Sequence, residues 1–170
     1  MNLQVSQLKT VKMLVLDVDG ILTDCRVWLS DSGEWRRRFS IRDGAGIKLL
    51  QEAGYKIAII TGSKAEDIRK RAEHLKIDYF FEGALDKEPS FQELQKKSGL
   101  KPQEMAYMGD DYFDVPVLSS VAFAATVSDA MESAKEVCHY VAARPAGNGA
   151  VREVCELILK YGAFAKGKTT

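Results

Sequence analysis

The stretch VKMLVLDVDG, at Val11–Gly20, joins a continuous apolar run to two carboxylates. Continuous apolar runs are typical of strands in a parallel sheet, because helices cover both faces of such a sheet. Two later runs have the same form, KIAIIT at Lys56–Thr61 and MAYMGD at Met105–Asp110, and Val121–Ala125 has the composition of a further strand. Together the runs predict a buried parallel sheet.

Helical patterns alternate with these strands. The predicted helices are Gly46–Ala53, Lys64–Leu75, Asp86–Ser98, Tyr112–Ser120 and Gly149–Tyr161. The last has apolar residues at a period of about 3.6, as expected of a helix with one buried face. Strands that alternate with helices predict an α/β fold with a doubly wound, Rossmann-like sheet. We expect residues 1–170 to form a single domain of this kind.

One segment, at about residues 25–40, interrupts the alternation. Its two β-prone arms, RVWL and EWRRRF, lie on either side of Asp31-Ser32-Gly33. This arrangement is typical of a β-hairpin, which would project just after the first strand. The range Asp24–Asp43 has room only for this hairpin, and Thr61–Lys87 only for a helix, a short strand and a turn. Neither range therefore has room for a further inserted domain.

The composition excludes several classes of protein. Hydrophobic residues make up 46% of the 170 residues, which is too many for a disordered chain. Lys+Arg and Asp+Glu both number 24, so the charge gives no reason to expect a nucleic acid or a membrane as partner. Three widely spaced cysteines do not form a disulfide framework. The segment MNLQVSQLKT lacks the apolar core of a signal peptide, so we expect a cytoplasmic protein.

The predicted strands end in polar residues. The first ends in Asp17, with Asp19 two residues later, and the others end in Thr61 and Asp110. In an open parallel sheet these carboxyl ends converge on the ligand crevice. A carboxylate needs no deprotonation at neutral pH and can form an acyl phosphate, so Asp17 is the predicted nucleophile. Asp19 would protonate the leaving alcohol and later deprotonate the attacking water.

More carboxylates follow the third run, in GDDYFD at Gly109–Asp114. Paired carboxylates suit Mg2+, which uses one or two of them together with phosphate oxygens and water. We assign Asp110 to the metal directly, and Asp111 and Asp114 to the orientation of metal-bound water or neighbouring groups. The metal would let the anionic nucleophile approach an anionic phosphate.

Two further polar residues complete the predicted catalytic set. Thr61, in IITGS, offers a hydroxyl and nearby backbone N–H groups to the phosphate. Lys87, in LDKEP, would neutralise phosphoryl oxygens and hold Asp17 ionised. The sequence therefore predicts a phosphatase whose catalytic residues are Asp17, Asp19, Thr61 and Lys87.

These motifs, in this order, resemble those of the haloacid dehalogenase superfamily. They are DVDGILTD, the threonine of IITG, the lysine of LDK, and GDDYFD. Within it, the sequence resembles the phosphatases of 3-deoxy-D-manno-octulosonate 8-phosphate (KDO 8-phosphate) over nearly its whole length, through RDGAGIKLL, DYFFEGALDK and GNGAVREVCELIL. The resemblance implies Mg2+ bound by Asp17, Asp19 and Asp110, a homotetramer, and a role in lipopolysaccharide biosynthesis.

The same resemblance implies a set of substrate contacts. They are Asp19, Ser40, Ile41, Arg42, Asp43, Gly44, Lys48, Ser63, Arg71 and Lys87. One position departs from the pattern, because Ser63 stands where these phosphatases usually have arginine directly after ITG. A nine-carbon keto-deoxy sugar 9-phosphate is therefore the alternative substrate. A non-catalytic sugar-phosphate-binding or assembly module is the alternative from another class.

The absence of a cap leads to an expectation about assembly. Small-molecule phosphatases of this superfamily generally cover the site with an inserted cap domain, which excludes water. Without a cap, the site would either serve a macromolecular substrate or be closed by another subunit. The hairpin arms carry Val27, Trp28, Leu29, Trp35 and Phe39, and an isolated two-stranded ribbon is marginally stable in water. Hairpins from several subunits, packed together, would bury these side chains and their edges. We therefore expect a homotetramer that acts on a small-molecule sugar phosphate.

Overall fold

A computed structural model describes residues 5–165 of the chain, and its centre is a parallel sheet. The strands are β1 Met13–Leu16, β2 Trp28–Leu29, β3 Trp35–Arg36, β4 Lys56–Ile60, β5 Tyr79–Phe81, β6 Met105–Met108, β7 Phe123–Thr126 and β8 Tyr140–Val141. Six of them form the sheet in the order β5-β4-β1-β6-β7-β8, with every neighbouring pair parallel. The predicted parallel sheet is therefore confirmed.

Helices cover both faces of this sheet. They are α1 Ile41–Glu52, α2 Glu66–Leu75, α3 Glu88–Ser98, α4 Val115–Leu118, α5 Glu132–Val137 and α6 Ala150–Tyr161. Along β1, Leu14 and Leu16 pack with α1, α2 and α6, whereas Met13 and Val15 pack with α3, α4 and α5. Both sides of the strand are buried, which explains its continuous apolar run. The doubly wound, Rossmann-like fold is confirmed.

The hairpin is present as a separate antiparallel pair, β2 and β3. Its turn has Gly33 at a φ of 78°, a left-handed conformation that favours glycine. Each strand has only two residues, fewer than the predicted arms, and within residues 5–165 each pairs only with the other. Trp28, Leu29 and Trp35 are 41%, 57% and 60% exposed. The outer surface of the hairpin is therefore apolar.

Several helices begin at residues other than the predicted ones. Helix α1 begins at Ile41 rather than Gly46, because the Ser40 hydroxyl accepts the Asp43 N–H at 3.3 Å. The predicted helix at Tyr112–Ser120 is instead a 3-10 turn followed by the short α4, which has a proline in its first turn. Helices α2 and α3 each begin two residues later than predicted.

Two absences concern only the described part of the chain. Between β1 and α1 the chain forms only the hairpin and loops, and between β4 and α3 it forms only α2, β5 and loops, so no cap domain lies there. No helix within residues 5–165 combines the length and the apolar composition that crossing a bilayer requires. The extent of the domain, residues 1–170, stays a prediction.

Candidate active site

The predicted site residues meet at the centre of the sheet. The chain runs from β1 to β4 and β5 on one side, and then to β6, β7 and β8 on the other, so the strand order reverses at β1 and β6. Ligands bind at such a switch point, beyond the carboxyl ends of the strands. A pocket of about 300 Å³ lies there, lined by Asp17, Asp19, Cys25, Thr61, Gly62, Ser63, Leu85, Lys87, Asp110, Asp111, Phe113 and Asp114.

Asp17 and Lys87 form a buried ion pair in this pocket. Lys87 Nζ lies 2.9 Å from Asp17 Oδ1 and also donates a hydrogen bond to the Ile60 carbonyl at 2.9 Å. The Val18 N–H donates a hydrogen bond to the same oxygen, Asp17 Oδ1, at 2.7 Å. Burial raises the pKa of Asp17 to about 7; Asp114 adds to the rise and Lys87 opposes it. The arrangement fixes one carboxylate at the end of β1.

Asp114 has no exposed surface, and both of its carboxylate oxygens accept hydrogen bonds. Tyr107 donates its hydroxyl proton to Asp114 Oδ1 at 2.6 Å. The backbone N–H groups of Asp110 and Asp111 donate to Asp114 Oδ2 at 3.1 and 3.3 Å. Asp114 therefore shapes the loop that carries Asp110. Tyr107 was not predicted, because its hydroxyl partner lies beyond the strand on which it sits.

Three carboxylates form an acidic cluster, with one oxygen each from Asp17, Asp110 and Asp114 within 4.8 Å of one another. Burial, followed by repulsion from Asp17 and then from Asp114 and Asp111, raises the pKa of Asp110 to about 8. A divalent cation would relieve this repulsion, and carboxylate oxygens are the ligands that Mg2+ prefers. The donor set therefore fits Mg2+, with Asp17 and Asp110 as the carboxylates that still have free lone pairs.

A glycine permits the close approach of this cluster. Gly20 has a φ of +83°, and a Cβ at that position would overlap the Asp110 carboxylate. The glycine of DVDG is thus needed for space as well as for its turn.

Asp19 lies on the hairpin side of the pocket, where it binds Arg37. Arg37 Nε and Nη2 donate to Asp19 Oδ1 and Oδ2 at 2.6 and 3.0 Å, so the pair is bidentate. Thr23 also donates its hydroxyl proton to Asp19 Oδ1 at 3.2 Å. The Asp19 carboxylate is therefore absent from the acidic cluster, although it was predicted as a metal ligand. Arg37 was missed, because the sequence does not distinguish it from Arg36 and Arg38.

The loop after β4 contributes Thr61 and Ser63 to the site. Thr61 is 1% exposed, and its hydroxyl accepts the Ser63 N–H at 3.2 Å. Ser63 accepts a hydrogen bond from Arg37 Nη2 at 3.2 Å through its own hydroxyl. Leu85 and Phe113, which were not predicted as site residues, add apolar surface at the pocket. Both are exposed, and nothing in their sequence context distinguishes them from ordinary loop residues.

The predicted substrate contacts divide into two groups. Asp19, Ser63 and Lys87 line the pocket, whereas Ser40, Ile41, Arg42, Asp43, Gly44, Lys48 and Arg71 lie outside it. Ile41 is 86% exposed, and with Arg42 it lines a different surface pocket. Arg71 donates to the Ser40 carbonyl at 3.0 Å. Asp43 accepts the Gly149 and Arg152 N–H groups at 3.1 and 2.8 Å, which caps α6. The substrate roles of this second group stay predictions.

Comparisons with known proteins show the family of the chain. Residues 34–121 match the haloacid dehalogenase-like hydrolase family. The chain is similar to the 3-deoxy-D-manno-octulosonate 8-phosphate phosphatase of Yersinia pestis, with 38% identity over 88% of this chain and 80% of the relative. It is also similar to the phosphatase of that name from Escherichia coli (strain K12), with 36% identity over 96% of this chain and 85% of the relative.

Solved structures share the fold over almost the full length. One is a 3-deoxy-D-manno-octulosonate 8-phosphate phosphatase from Moraxella catarrhalis in complex with a magnesium ion, a phosphate ion and KDO, with a TM-score of 0.92, 36% identity, and coverage of 97% of this chain and 95% of that one. Another is the cobalt-bound phosphatase from Haemophilus influenzae, with a TM-score of 0.88, 34% identity and 96% coverage of both chains. The chain therefore belongs to the haloacid dehalogenase-like hydrolase family.

Proposed function

We propose that the protein is a Mg2+-dependent phosphatase that hydrolyses KDO 8-phosphate to KDO and phosphate in lipopolysaccharide biosynthesis. The observation that carries the proposal is the buried Asp17 carboxylate, held 2.9 Å from Lys87 and clustered with Asp110. The Moraxella catarrhalis relative, which binds magnesium, phosphate and KDO, supports the choice of metal and substrate. The nine-carbon alternative has no such support among these relatives.

The first half of the reaction forms an aspartyl phosphate. An oxygen of Asp17 attacks phosphorus, and the bond from phosphorus to the sugar oxygen breaks. Asp19 gives its proton to that oxygen, so the sugar leaves as an alcohol. Lys87 neutralises charge on the phosphoryl oxygens, and the Thr61 hydroxyl with the backbone N–H groups of its loop binds them.

The second half restores the carboxylate. Asp19 takes a proton from water, the water oxygen attacks phosphorus, and the bond between phosphorus and Asp17 breaks. Mg2+, which Asp17 and Asp110 would hold, would offset the negative charge that Asp17 and the phosphate bring together. The side chain of Asp19 is left free for proton transfer, which agrees with its place outside the acidic cluster.

Phosphate release tests this proposal. Wild-type protein with Mg2+ should hydrolyse KDO 8-phosphate with a higher kcat/KM than a nine-carbon keto-deoxy sugar 9-phosphate. Asp17→Asn should abolish release while the protein keeps its native circular dichroism spectrum, because the two side chains are nearly isosteric. Hydrolysis by Asp17→Asn at the wild-type rate would refute the mechanism, and a preference for the nine-carbon sugar would refute the substrate.

We also propose that the active form is a homotetramer organised around the hairpins, with a cytoplasmic location. The exposed side chains of Trp28, Leu29 and Trp35 support an interface on the hairpin. The predicted substrate contacts that lie outside the pocket, such as Arg42, fit a site that a neighbouring subunit completes. Light scattering should then give about four times the chain mass, as expected of closed symmetry.

Mixed tetramers distinguish a shared site from a self-sufficient one. Asp17→Asn removes the nucleophile, and Arg42→Gln removes an exposed contact that we assign to the neighbour's site. Neither variant alone should turn over KDO 8-phosphate efficiently, whereas co-expressed chains should regain a fraction of the wild-type activity. Co-expressed chains no more active than Arg42→Gln alone would show that Arg42 does not act across an interface.

A further inference from the structure

Arg37, which follows β3 of the hairpin, reaches the active site through Asp19. Its side chain is 9% exposed, although β2 and β3 beside it are largely exposed. Besides the bidentate contact with Asp19, it donates to Ser63 Oγ at 3.2 Å and to Asp67 Oδ1 at 3.3 Å. Four of its five N–H donors are thus engaged. The guanidinium is held between the start of α2 and the predicted acid–base group.

The two neighbouring arginines make different contacts. Arg36 pairs with Glu34 on the hairpin itself, where the Glu34 side chain is 55% exposed. Arg38 lies over the Trp28 ring, with its guanidinium carbon 5.3 Å from the ring centroid. Both therefore act within the hairpin, and they provide matched controls of the same residue type.

We propose that Arg37 is a positioning residue that fixes the carboxylate of Asp19 for proton transfer. This inference rests on the proposed function only in its use of Asp19 as the acid and base, not in the identity of the sugar. The Asp19 side chain is 33% exposed, and its other side-chain contact is the Thr23 hydroxyl at 3.2 Å. Without the guanidinium, the carboxylate would be free to rotate toward solvent.

The position of Asp19 matters because a general acid must lie within hydrogen-bond reach of the oxygen that it protonates. A displacement of about 1 Å in a catalytic group can cost about 100-fold in rate. Asp19 Oδ1 accepts from both Arg37 and Thr23, whereas Oδ2 accepts only from Arg37 and keeps a lone pair, so Oδ2 has room for the transferred proton. The hairpin would thereby contribute to the chemistry of its own subunit.

Three phosphate esters separate positioning from binding and from a structural role. A simple alkyl phosphate and KDO 8-phosphate both lose an alcohol that needs protonation, whereas p-nitrophenyl phosphate loses a weakly basic phenolate. Arg37→Gln should lower kcat/KM for both alkyl esters by about 10–100-fold, within the range of general acid catalysis, and for the aryl ester by less than about 3-fold. Arg37→Lys should restore part of the loss, and Arg36→Gln and Arg38→Gln should behave as wild type.

Other results would overturn either the positioning role of Arg37 or the proposed substrate. A loss confined to KDO 8-phosphate would make Arg37 a substrate-binding residue and overturn the positioning role. Equal losses on all three esters, with a lower melting temperature, would make it structural only. Wild-type protein that hydrolyses the simple esters but not KDO 8-phosphate would overturn the proposed substrate, while the comparison of alkyl and aryl esters would still test Arg37.

A second measurement does not depend on activity. In urea unfolding at fixed protein concentration, Arg37→Gln, Asp19→Asn and the double variant form a double-mutant cycle. If the two side chains stabilise each other, the double variant should lose less stability than the sum of the two single losses. Strictly additive losses would overturn the contact on which the proposal depends.

Discussion

Removal of divalent cations should make the stability of the protein fall as the pH rises from 6 to 8. The pKa of Asp17 is raised to about 7 and that of Asp110 to about 8, from an ordinary value of 3.8. In this range the folded state holds protons that the unfolded chain has already released. Stability falls with rising pH wherever the folded state binds more protons, so the free energy of unfolding should decrease.

The size of the decrease follows from these two pKa values. Between pH 6 and pH 8, the folded state holds an extra proton on Asp17 over about one pH unit and on Asp110 over rather less than two. Each such unit lowers the free energy of unfolding by about 1.4 kcal/mol, so the total decrease is about 3–4 kcal/mol. For a domain of this size, 1 kcal/mol corresponds to about 2–4 °C, so the melting temperature should fall by about 10 °C. Mg2+ should remove most of the decrease, because the cation replaces the protons.

Thermal and urea unfolding of chelated protein, at one protein concentration, test this prediction. Asp110→Asn is the matched control: it removes one titrating group and the repulsion that the group exerts on Asp17. Its pH slope should be less than half that of the wild type. Burial lowers the pKa of His139, which adds a slope of the opposite sign to both proteins. Equal slopes in the two proteins, or a wild type that gains stability toward pH 8, would refute the reasoning.

Three substitutions test the surrounding contacts. Lys87→Met should abolish phosphate release and cost about 3–5 kcal/mol in urea unfolding, because it leaves the buried Asp17 unpaired; full stability would contradict the ion pair. Tyr107→Phe should weaken Mg2+ binding by about 10–100-fold in calorimetry, since it removes the hydroxyl that orients Asp114; unchanged affinity would contradict that role. Asp43→Ala should cost about 1–2 kcal/mol, because it uncaps α6, and no loss of stability would show that the cap contributes nothing.

The fold and the centre of the site could be predicted from the sequence because their signals are local. A buried strand that ends in a carboxylate places that carboxylate at the carboxyl edge of the sheet, whatever the rest of the chain does. Asp17, Thr61 and Asp110 all lie where that rule puts them. Lys87 follows no strand, and its place came from the order of the motifs.

Contacts between distant segments could not be predicted in the same way. The carboxylate of Asp43 caps a helix more than 100 residues away, as its hydrogen bond to the Arg152 N–H shows. In the sequence, Asp43 has the appearance of a substrate contact within a family motif. Helix α1 begins before its predicted start for a related reason, because Ser40, predicted as a substrate contact, caps the helix.

The hairpin connects the assembly of the protein to its chemistry. A two-stranded ribbon with two residues in each strand has little stability of its own, so its conformation depends on what packs against it. Its outer surface is apolar, through Trp28 and Trp35, and its last residues carry Arg37 to the carboxylate of Asp19. An interface that orders the tryptophans would therefore also hold Arg37 in place. The hairpin would then have two roles: it would exclude solvent from the active site of a neighbouring subunit, and it would orient Asp19, the proton donor of its own subunit.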